Sequence, residues 1–464
     1  MRQDFQWGNY YINTQSPPLF PYQKRGVVAI ERKGGRVLLA DEPGLGKTCQ
    51  ALVWMGHKAD AWPVVIVCPA SLKLNWAKEI RMWLNDDVDI HIIKGGFNHK
   101  SKPIELDKNN RKPQVVIMNY DVAVSWFNYI SGFQTVILDE SHYIKNIQAL
   151  RTKATLKIAG KAEYVVAISG TPILAKPIEA FTTLNLIAPD RFPSWWNYAN
   201  HYCDLKKTRW GIDVSGSSNP NGLKEWIKPH TIRRLKENVL TDLPQKRFAT
   251  IETEMSAKTR KDYDAKMVEL MGWKQANVKG SKMQGFGIME ALKQVCLSAK
   301  IDAALEIAQS YLDADTPLVV FGIHKALADA FEKKFKDQVG IITGSTSAKR
   351  RNDIVNDFQA GKIKLFYGNI QAAGTGITLT AASNMLMVEY PWSPGDYQQA
   401  NDRVHRIGQA NAVLIHNLVV RDTMDEIILR MLLKKQEVVR SIMDDGQTTE
   451  SDNLFEEVVM QLAR

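Results

Sequence analysis

The stretch RVLLADEPGLGKT, residues 36–48, predicts a buried strand, a glycine-rich turn and the start of a helix. Gly44 and Gly46 are expected in the turn, because glycine lets backbone N–H groups approach phosphate oxygens. The helix N-terminus adds positive potential. Lys47 would neutralise the β- and γ-phosphates, and the Thr48 hydroxyl would bind Mg²⁺. The stretch therefore predicts a site for a nucleoside triphosphate.

Outward from this stretch, short β-branched runs alternate with helix-like segments. The runs RVLLA, VVIVC, QVVIM, TVILD and YVVAI lie before residue 189, and PLVVF, VGIIT, KIKLFYG, NMLMVEY and AVLIHNLVV follow residue 300. This rhythm predicts the α/β fold class, with two parallel-sheet lobes. The expected domains are lobe 1 at 1–189, helical insertions and a linker at 190–299, lobe 2 at 300–422, a C-terminal packing helix at 423–443 and an acidic tail at 444–464.

Composition narrows the function classes. The 464 residues are 45% apolar and 24% charged, which is typical of a folded globular protein. The net charge of +10 favours a polyanionic partner, either nucleic acid or an anionic membrane. The apolar runs are strand-sized, far below the roughly 20 residues that span a bilayer, and the N-terminus lacks the apolar core of a signal peptide. We expect a soluble intracellular protein, cytoplasmic if it is bacterial or viral.

The cysteines favour neither a metal site nor disulfides. Cys49, Cys68, Cys203 and Cys296 lie too far apart in sequence to form a CxxC pair or a series of zinc ligands. A reducing compartment is the simplest interpretation.

A basic segment lies between the two series of strands. Asp204 to Arg247 holds ten basic and five acidic residues, with Trp195, Trp196, Trp210 and Trp226 in or beside it. Clustered cations with aromatic side chains are typical of a nucleic-acid surface. The alternative is that the tryptophans belong to a core and the charges are merely solvated.

An acidic pair follows a second strand. The predicted strand Thr135 to Leu138 is followed directly by Asp139 and Glu140, which places two carboxylates at the carboxyl edge of a parallel sheet. Asp139 would hold Mg²⁺ through water, and Glu140 would orient and deprotonate the attacking water. Such a pair is usually a helix cap or a turn, and the glycine-rich stretch upstream is what favours a catalytic role.

Four stretches together carry a family resemblance. DEPGLGKT, LDESH at 138–142, SGTP at 169–172 and QANDRVHRIGQ at 399–409 resemble motifs I, II, III and VI of superfamily 2 helicases, and DESH with HRIGQ resembles the Swi/Snf-like branch of duplex-DNA translocases. Other matching elements are LFPYQKRGV at 19–27, CPASLKLNW at 68–76, IRRLKENVLTDLP at 232–244, FGIHKALAD at 321–329, TGSTSAKRRNDIVNDF at 343–358 and AAGTGITLTAAS at 372–383. The resemblance spans residue 19 to about residue 440. The common glycine loop has Gly where this chain has Asp41, and this branch commonly has Asp there.

The resemblance implies two RecA-like lobes that bind ATP and Mg²⁺ between them. Arg403 and Arg406, expected on one helix of lobe 2, resemble the arginine fingers that reach the γ-phosphate. Gln399 would order that helix, and Gly376 would contribute to the nucleotide site. Gln23 matches the glutamine that reads adenine through paired hydrogen bonds.

The resemblance also implies coupling and DNA-contact residues. Ser169 and Thr171, with His142 as partner, would relay the state of the nucleotide. Double-stranded DNA would be held along one phosphate backbone, with little sequence specificity. The expected DNA contacts are Ser71, the segment Leu72 to Trp76, Gly374, Thr375, Gly376 and Thr378.

The functional hypothesis is an ATP-dependent translocase on double-stranded DNA that remodels DNA or displaces bound protein. The chain resembles short HepA-related or annealing-helicase members, which adds fork remodelling or strand annealing to the expectation. One alternative is a strand-separating DNA or RNA helicase, which DESH and HRIGQ disfavour. Another is a non-hydrolysing nucleic-acid-binding scaffold, which the intact Lys47, Asp139, Glu140, Arg403 and Arg406 disfavour.

Overall fold

The fold comes from a computed structural model that describes residues 11–107, 114–170, 172, 176–208, 211–214, 216–240, 243–276, 282–373, 376–440, 458 and 462. The chain divides into two units. Unit 1 is Met1–Thr241 with Val438–Ser451, and unit 2 is Asp242–Glu437 with Asp452–Arg464.

Unit 1 is built on a parallel sheet. Its strands are β1 Arg36–Leu39, β2 Val64–Cys68, β3 Asp89–Ile92, β4 Ile104–Glu105, β5 Gln114–Asn119, β6 Ile130–Ser131, β7 Thr135–Asp139, β8 Tyr164–Ile168, β9 Lys206–Thr208, β10 Gly211–Asp213 and β11 Thr231–Ile232. Among the described residues, seven of them pair in the order β11-β1-β8-β7-β2-β5-β3, all parallel. Consequently their carboxyl ends share one edge of the sheet.

Helices cover both faces of this sheet. They are α1 Pro21–Arg32, α2 Lys47–Gly56, α3 Lys73–Trp83, α4 Tyr120–Trp126, α5 Leu150–Ala159, α6 Phe181–Ile187, α7 Trp195–Tyr202, α8 Pro220–Ile227 and α9 Lys236–Val239. Leu38 belongs to the core on one face, whereas Val37 and Leu39 belong to the core on the other. Burial on both faces explains why these strands are nearly continuous apolar runs.

Unit 2 repeats the design with its own elements. Its strands are β12 Lys246–Thr253, β13 Leu318–Gly322, β14 Val339–Ile342, β15 Leu365–Asn369, β16 Asn384–Met387 and β17 Val413–Val420, and its helices are α10 Ala257–Ala276, α11 Lys282–Asp313, α12 Lys325–Phe335, α13 Ala348–Gln359, α14 Ile370–Ala373, α15 Pro394–Asn401 and α16 Met424–Arg440. In the part of this unit that the structure describes, six strands pair in parallel in the order β12-β17-β16-β13-β15-β14.

The predicted fold class is confirmed: every strand-like run expected from the sequence forms a strand in one of two parallel sheets. The segment 190–299 differs from expectation, because it also supplies β9, β10, β11 and β12. β12 lies at the edge of its sheet, and all its residues are half-buried or exposed, so its apolar signal is weak. The two units meet in sequence at residues 241 and 242, inside this segment, and the five-domain division stays a prediction.

The C-terminal helix α16 places Ile428, Met431 and Leu432 in the core of unit 2. The Thr423 hydroxyl accepts from the Asp425 N–H at 3.2 Å, which satisfies a donor at the helix start. Apart from positions 458 and 462, the predicted acidic tail lies outside the described residues. No helix within the described ranges combines the length and apolar character needed to cross a bilayer.

Candidate active site

The glycine loop joins β1 to α2 at the carboxyl edge of the unit 1 sheet. Gly44 and Gly46 have φ of 91° and 71°, a left-handed conformation that glycine adopts without steric cost. A Cβ atom on Gly46 would lie 2.4 Å from Nε2 of Gln23, so a side chain there would also clash. Gly46 directly precedes α2, so the helix N-terminus opens onto the loop.

Lys47 is held at the loop by backbone carbonyls. Its Nζ donates to the carbonyl oxygens of Asp41 at 2.7 Å and Glu42 at 3.2 Å. Gly170 of the SGTP segment lies close to the same place, since a Cβ atom on it would be 3.2 Å from the Lys47 Nζ. The structure therefore brings SGTP to the phosphate loop. Thr48, the next residue on α2, is half-buried.

Asp41 occupies the position where the common loop pattern has glycine, and its hydrogen bonds account for the acidic residue there. Its fully buried carboxylate accepts from Arg234 Nε at 2.9 Å and from a terminal Arg234 nitrogen at 2.5 Å. Gln50 Nε2 donates to the same carboxylate at 3.1 Å. Asp41 thus ties the phosphate loop to the IRRLK segment, where no role for Arg234 was predicted. The sequence signal that could have revealed this role is the aspartate in place of the usual glycine, because a buried carboxylate requires a cationic partner.

Asp139 ends β7 in a buried, hydrogen-bonded position. The Trp76 indole donates to Asp139 Oδ2 at 2.7 Å, and the Glu140 N–H donates to Oδ1 at 3.0 Å. Burial, and then the neighbouring charge of Glu140, raise the pKa of Asp139 to about 7. The hydrogen bond from Trp76 acts in the opposite direction.

Trp76 is a hydrogen-bond partner of the Asp139 carboxylate. Trp76 and Leu72 are buried, whereas Ser71 is exposed. Within the segment 71–76 that was expected to contact DNA, the buried Leu72 and Trp76 side chains are therefore excluded from that role in this conformation. Sequence reasoning missed Trp76 because its partner lies on a different strand.

Glu140 has an unusual backbone conformation. Its φ of 50° and ψ of 54° are left-handed, which costs a non-glycine residue roughly 1–2 kcal/mol. Its carboxylate Oε2 lies 3.3 Å from His142 Nδ1, and the same nitrogen lies 3.3 Å from the Ser169 hydroxyl. A polar chain therefore runs from DESH to SGTP, as expected for coupling residues. Thr171 lies outside the described residues.

Gln23 lies beside the loop, with its amide already engaged. Its Oε1 accepts from the Phe20 N–H at 2.9 Å, and its Nε2 donates to the Leu45 carbonyl at 3.4 Å. The side chain is 4% exposed. Reading adenine would require at least one of these bonds to be exchanged.

In unit 2, Arg403 and Arg406 lie close together. The prediction that one helix carries both arginines is wrong. α15 ends at Asn401, and the two arginines occupy the turns that follow. The Leu379 N–H donates to the Arg403 carbonyl at 2.9 Å, which ties this chain segment to residues 376–383 and diverts it from the helix.

Both guanidinium groups donate to the Ile377 carbonyl, Arg403 at 3.2 Å and Arg406 at 3.3 Å. Arg403 also donates to the carbonyl of Gln399 at 2.9 Å, and Arg406 to the Thr378 hydroxyl at 3.2 Å. Motif VI and the AAGTGITLTAAS segment are therefore one hydrogen-bonded assembly.

Two further predicted residues of unit 2, Gln399 and Gly376, are described by the structure. Gln399 is buried, and Gly376 has a left-handed φ of 74°. Gly374 and Thr375 lie outside the described residues.

The donor set around the loop suits Mg²⁺. The described residues contain no group of three or more His, Cys, Asp or Glu side chains that could hold a metal ion. Mg²⁺ keeps several waters and takes one or two protein oxygens plus phosphate oxygens. The Asp139 carboxylate and the Thr48 hydroxyl, both at the carboxyl edge of one sheet, fit that requirement.

Two parallel α/β units, one with a phosphate loop and an acidic pair and the other with paired arginines, define the class of helicase-like ATPases. Comparison with known families agrees. Residues 22–301 match the SNF2-related domain, and residues 299–408 match the helicase conserved C-terminal domain. The chain belongs to the SNF2-related family and carries the ATPase core of that family.

Several longer proteins are similar to it. The SWI/SNF-related matrix-associated actin-dependent regulator of chromatin subfamily A-like protein 1 of Xenopus tropicalis is 34% identical over 94% of this chain and 46% of its own length. The DNA annealing helicase and endonuclease ZRANB3 of Homo sapiens is 32% identical over 92% of this chain and 40% of its own length. The chain thus spans less than half the length of these two relatives.

A solved structure, the Sulfolobus solfataricus SWI2/SNF2 ATPase core in complex with dsDNA, is 25% identical. The alignment covers 95% of this chain and 96% of that chain, with a TM-score of 0.45.

Proposed function

We propose that this chain is an ATP-dependent translocase on double-stranded DNA, which uses ATP hydrolysis to remodel DNA or displace bound protein. The observation that supports this most is the arrangement at the carboxyl edge of unit 1. There the Lys47 loop, the acidic pair and SGTP are connected through Gly170 and the Glu140–His142–Ser169 contacts. Such an arrangement is suited to linking the state of a nucleotide to a change in the protein.

In this proposal, each group of unit 1 has one task. Lys47 and the loop N–H groups bind the ATP phosphates, and Thr48 and Asp139 hold Mg²⁺, which when bound neutralises phosphate charge. Glu140 orients water and takes its proton. Its left-handed backbone and its contact with His142 fix the direction of the carboxylate.

The other predicted residues complete the proposal. Arg403 and Arg406 supply positive charge during hydrolysis, and Gln399 positions Arg403 through the hydrogen bond to its carbonyl. Gln23 reads adenine after exchanging its present bonds. Gly376 supports the nucleotide site, and His142, Ser169 and Thr171 couple it to the DNA grip.

The DNA contacts in the proposal are made to the phosphate backbone. Ser71 is exposed, and the Thr378 hydroxyl, which now accepts from Arg406, lies two residues after Gly376 in the chain. These groups, with Gly374 and Thr375, can bond phosphate oxygens without reading bases, so little sequence specificity is expected. Because one relative is named a DNA annealing helicase, we extend the proposal to strand annealing, and we include forked DNA as a substrate to be tested.

The deciding experiment measures ATP turnover with linear duplex DNA, forked DNA, single-stranded DNA and RNA. We expect duplex and forked DNA to stimulate turnover more than single strands or RNA. Glu140→Gln should retain ATP and DNA binding but lose turnover by about a hundredfold or more, because it removes the base. Lys47→Ala should weaken ATP binding itself.

Equal stimulation by single strands or RNA would contradict the duplex assignment. Wild-type turnover in either variant would contradict the assigned residues.

A further inference from the structure

A group of basic side chains in unit 1 lies at the amino end of β1, opposite the end that leads into the phosphate loop. β1 begins at Arg36, and its far end leads into the loop. At the Arg36 end there is a cavity of about 540 Å³. Its charged and titratable lining residues are Lys33, Arg36, Asp190, Arg191 and His230.

The cations of this cavity are positioned by neutral partners. Lys33 Nζ donates to the backbone carbonyls of residues 228 and 229, and the Arg36 guanidinium donates to those of residues 162, 163 and 186. Carbonyl groups hold a cation in place without cancelling its charge. Asp190 is the acidic residue among those that line the cavity.

The local electrostatics agree with a net positive cavity. Burial, followed by the positive charges of Arg191 and Lys33, lowers the pKa of His230. A protonated imidazole is therefore disfavoured here, first by burial and then by these two cations, so His230 contributes ring nitrogens for hydrogen bonding and not charge.

An aromatic platform adjoins the cavity. The Arg191 guanidinium lies 4.7 Å from the centroid of the Trp226 ring, and Phe192 contacts that ring edge-on at 6.3 Å. Trp226 is 44% exposed, and the Lys228 side chain near it is 73% exposed and lies 3.9 Å from the similarly exposed Glu225 carboxylate, a long surface pair that water screens. Trp226 and the 51% exposed Trp196 are thus surface residues, whereas Trp195 is partly buried against the core of unit 1. Trp210 lies outside the described residues.

We propose that this surface, termed the cationic edge, binds the phosphodiester backbone of nucleic acid at a second contact away from the phosphate loop. The cationic edge consists of Lys33, Arg36, Arg191, Trp226, Lys228 and His230. This inference rests on the proposed function in that it gives the motor a second contact with its DNA. A small phosphate ion would need the cavity alone, whereas an extended polyanion also uses Lys228 and the Trp226 platform.

The test uses charge reversal of two exposed side chains. Arg191→Glu/Lys228→Glu is compared with the control Lys333→Glu/Lys334→Glu, which makes the same charge change at exposed positions on α12 of unit 2. Binding of labelled duplex and single-stranded oligonucleotides is titrated by fluorescence anisotropy at several salt concentrations, without nucleotide. Equal thermal unfolding of both variants and the wild type verifies folding.

We expect the Arg191/Lys228 variant to bind duplex or single-stranded DNA about tenfold to a hundredfold more weakly, with the log–log salt slope reduced by roughly two or more. The control should stay close to wild type. A variant with the affinity and salt slope of the control would overturn the proposal.

A further comparison separates nucleic acid from a small anion. Inorganic phosphate is added to the wild type and compared with chloride at equal ionic strength. Binding of phosphate beyond that of chloride, combined with unchanged DNA affinity in the Arg191/Lys228 variant, would overturn the polyanion contact in favour of a small-anion site, whereas equal effects of the two salts with weaker DNA binding in that variant support it.

Turnover keeps this inference distinct from the proposed function. Stimulation of wild-type turnover by duplex DNA tests the proposed function, and the oligonucleotide titration of the Arg191/Lys228 variant tests the cationic edge. Absence of duplex stimulation in the wild type would defeat the proposed function, while the binding titration would still decide the cationic edge.

Discussion

At the scale of single residues, the Asp41–Arg234 pair shows how a local exception is stabilised by a distant residue. Removing a carboxylate from water is costly, and a bidentate guanidinium with an added amide is one of the few arrangements that offsets the cost. Here Gln50 also accepts from Arg234 at 2.5 Å, so three side chains form one closed network. The network fixes the start of the phosphate loop against a segment far along the chain.

Breaking this pair should destabilise unit 1. We expect Arg234→Ala to lower the free energy of unfolding by about 3–5 kcal/mol, because it leaves the Asp41 carboxylate buried without its main partner. The measurement is urea unfolding followed by circular dichroism. Lys145→Ala, which removes a more exposed pair with Glu179, is the control and should cost no more than about 1 kcal/mol.

A double-mutant cycle sharpens this prediction. Asp41→Ala/Arg234→Ala should be destabilised by less than the sum of the two single variants, because the second change removes the charge that the first left unpaired. Strictly additive losses would show that the two groups do not interact.

At the scale of elements, a buried charge network joins α11 to two loops of unit 2. His324, just before α12, lies between Glu290 of α11 and Glu389 after β16. Glu389 also accepts the backbone N–H groups of residues 323 and 324 at 2.7 and 2.9 Å, and the Trp392 indole donates to Glu290 at 2.8 Å. The network thereby fixes the FGIH turn against α11 and the segment that leads to α15.

Hydrogen bonds to Glu290 and then to Glu389 raise the pKa of His324 to about 9, against burial and the charge of Lys293. Since the pKa of the folded state is raised, the stabilisation is complete below the unfolded value, about 6.5, and is lost as the pH rises through about 9. We expect the stability difference between wild type and His324→Asn to shrink over that window by about 1–2 kcal/mol, allowing for partial exposure of the site.

The measurement is urea unfolding of both proteins across this pH range. A difference for His324→Asn that stays constant, or grows with pH, would contradict the assigned charge of the imidazole.

The acidic partners give the opposite limb of the pH profile. Burial opposes ionisation of Glu290, but hydrogen bonds from His324 and Trp392 and the charge of Lys293 lower its pKa to about 2. Its contribution is therefore present above about 4.5 and is lost as the pH falls toward 2. Together the two limbs place the greatest stability from this network between about pH 4.5 and 6.5.

Elements could be predicted from the sequence where the pattern is local. The strands β2 and β8 are continuous runs of apolar and aromatic residues, and β7 has an apolar centre between Thr135 and Asp139, so their strand character is evident without any partner. β11 and β12 were missed because one has two residues and the other is a half-exposed edge strand. The helix expected at Arg403 was wrong because a tertiary hydrogen bond from Leu379 competes with helix continuation.

At the scale of the whole molecule, the same distinction separates what could be predicted of the site from what could not. The glycine loop and the acidic pair are contiguous in sequence and carry their chemistry in their spacing. The contacts of Trp76 with Asp139 and of Arg234 with Asp41 join residues far apart in the chain. Only the folded sheet, which gathers the carboxyl ends of its strands at one edge, places such residues together.

Strand-displacement assays on the whole molecule distinguish a duplex translocase from a strand-separating helicase. A motor that follows one strand of an intact duplex should displace a third strand from a DNA triplex while leaving the duplex paired. We expect the wild type to do so only with ATP, because hydrolysis drives each change of grip. Gel analysis of a labelled triplex and a labelled partial duplex reports the two outcomes in parallel.

Glu140→Gln is the matched control, since its side chain keeps nearly the same shape, and it should displace neither strand. Release of the duplex strand with the triplex left intact would replace the translocase by a strand-separating helicase. ATP hydrolysis with neither displacement would refute movement along DNA.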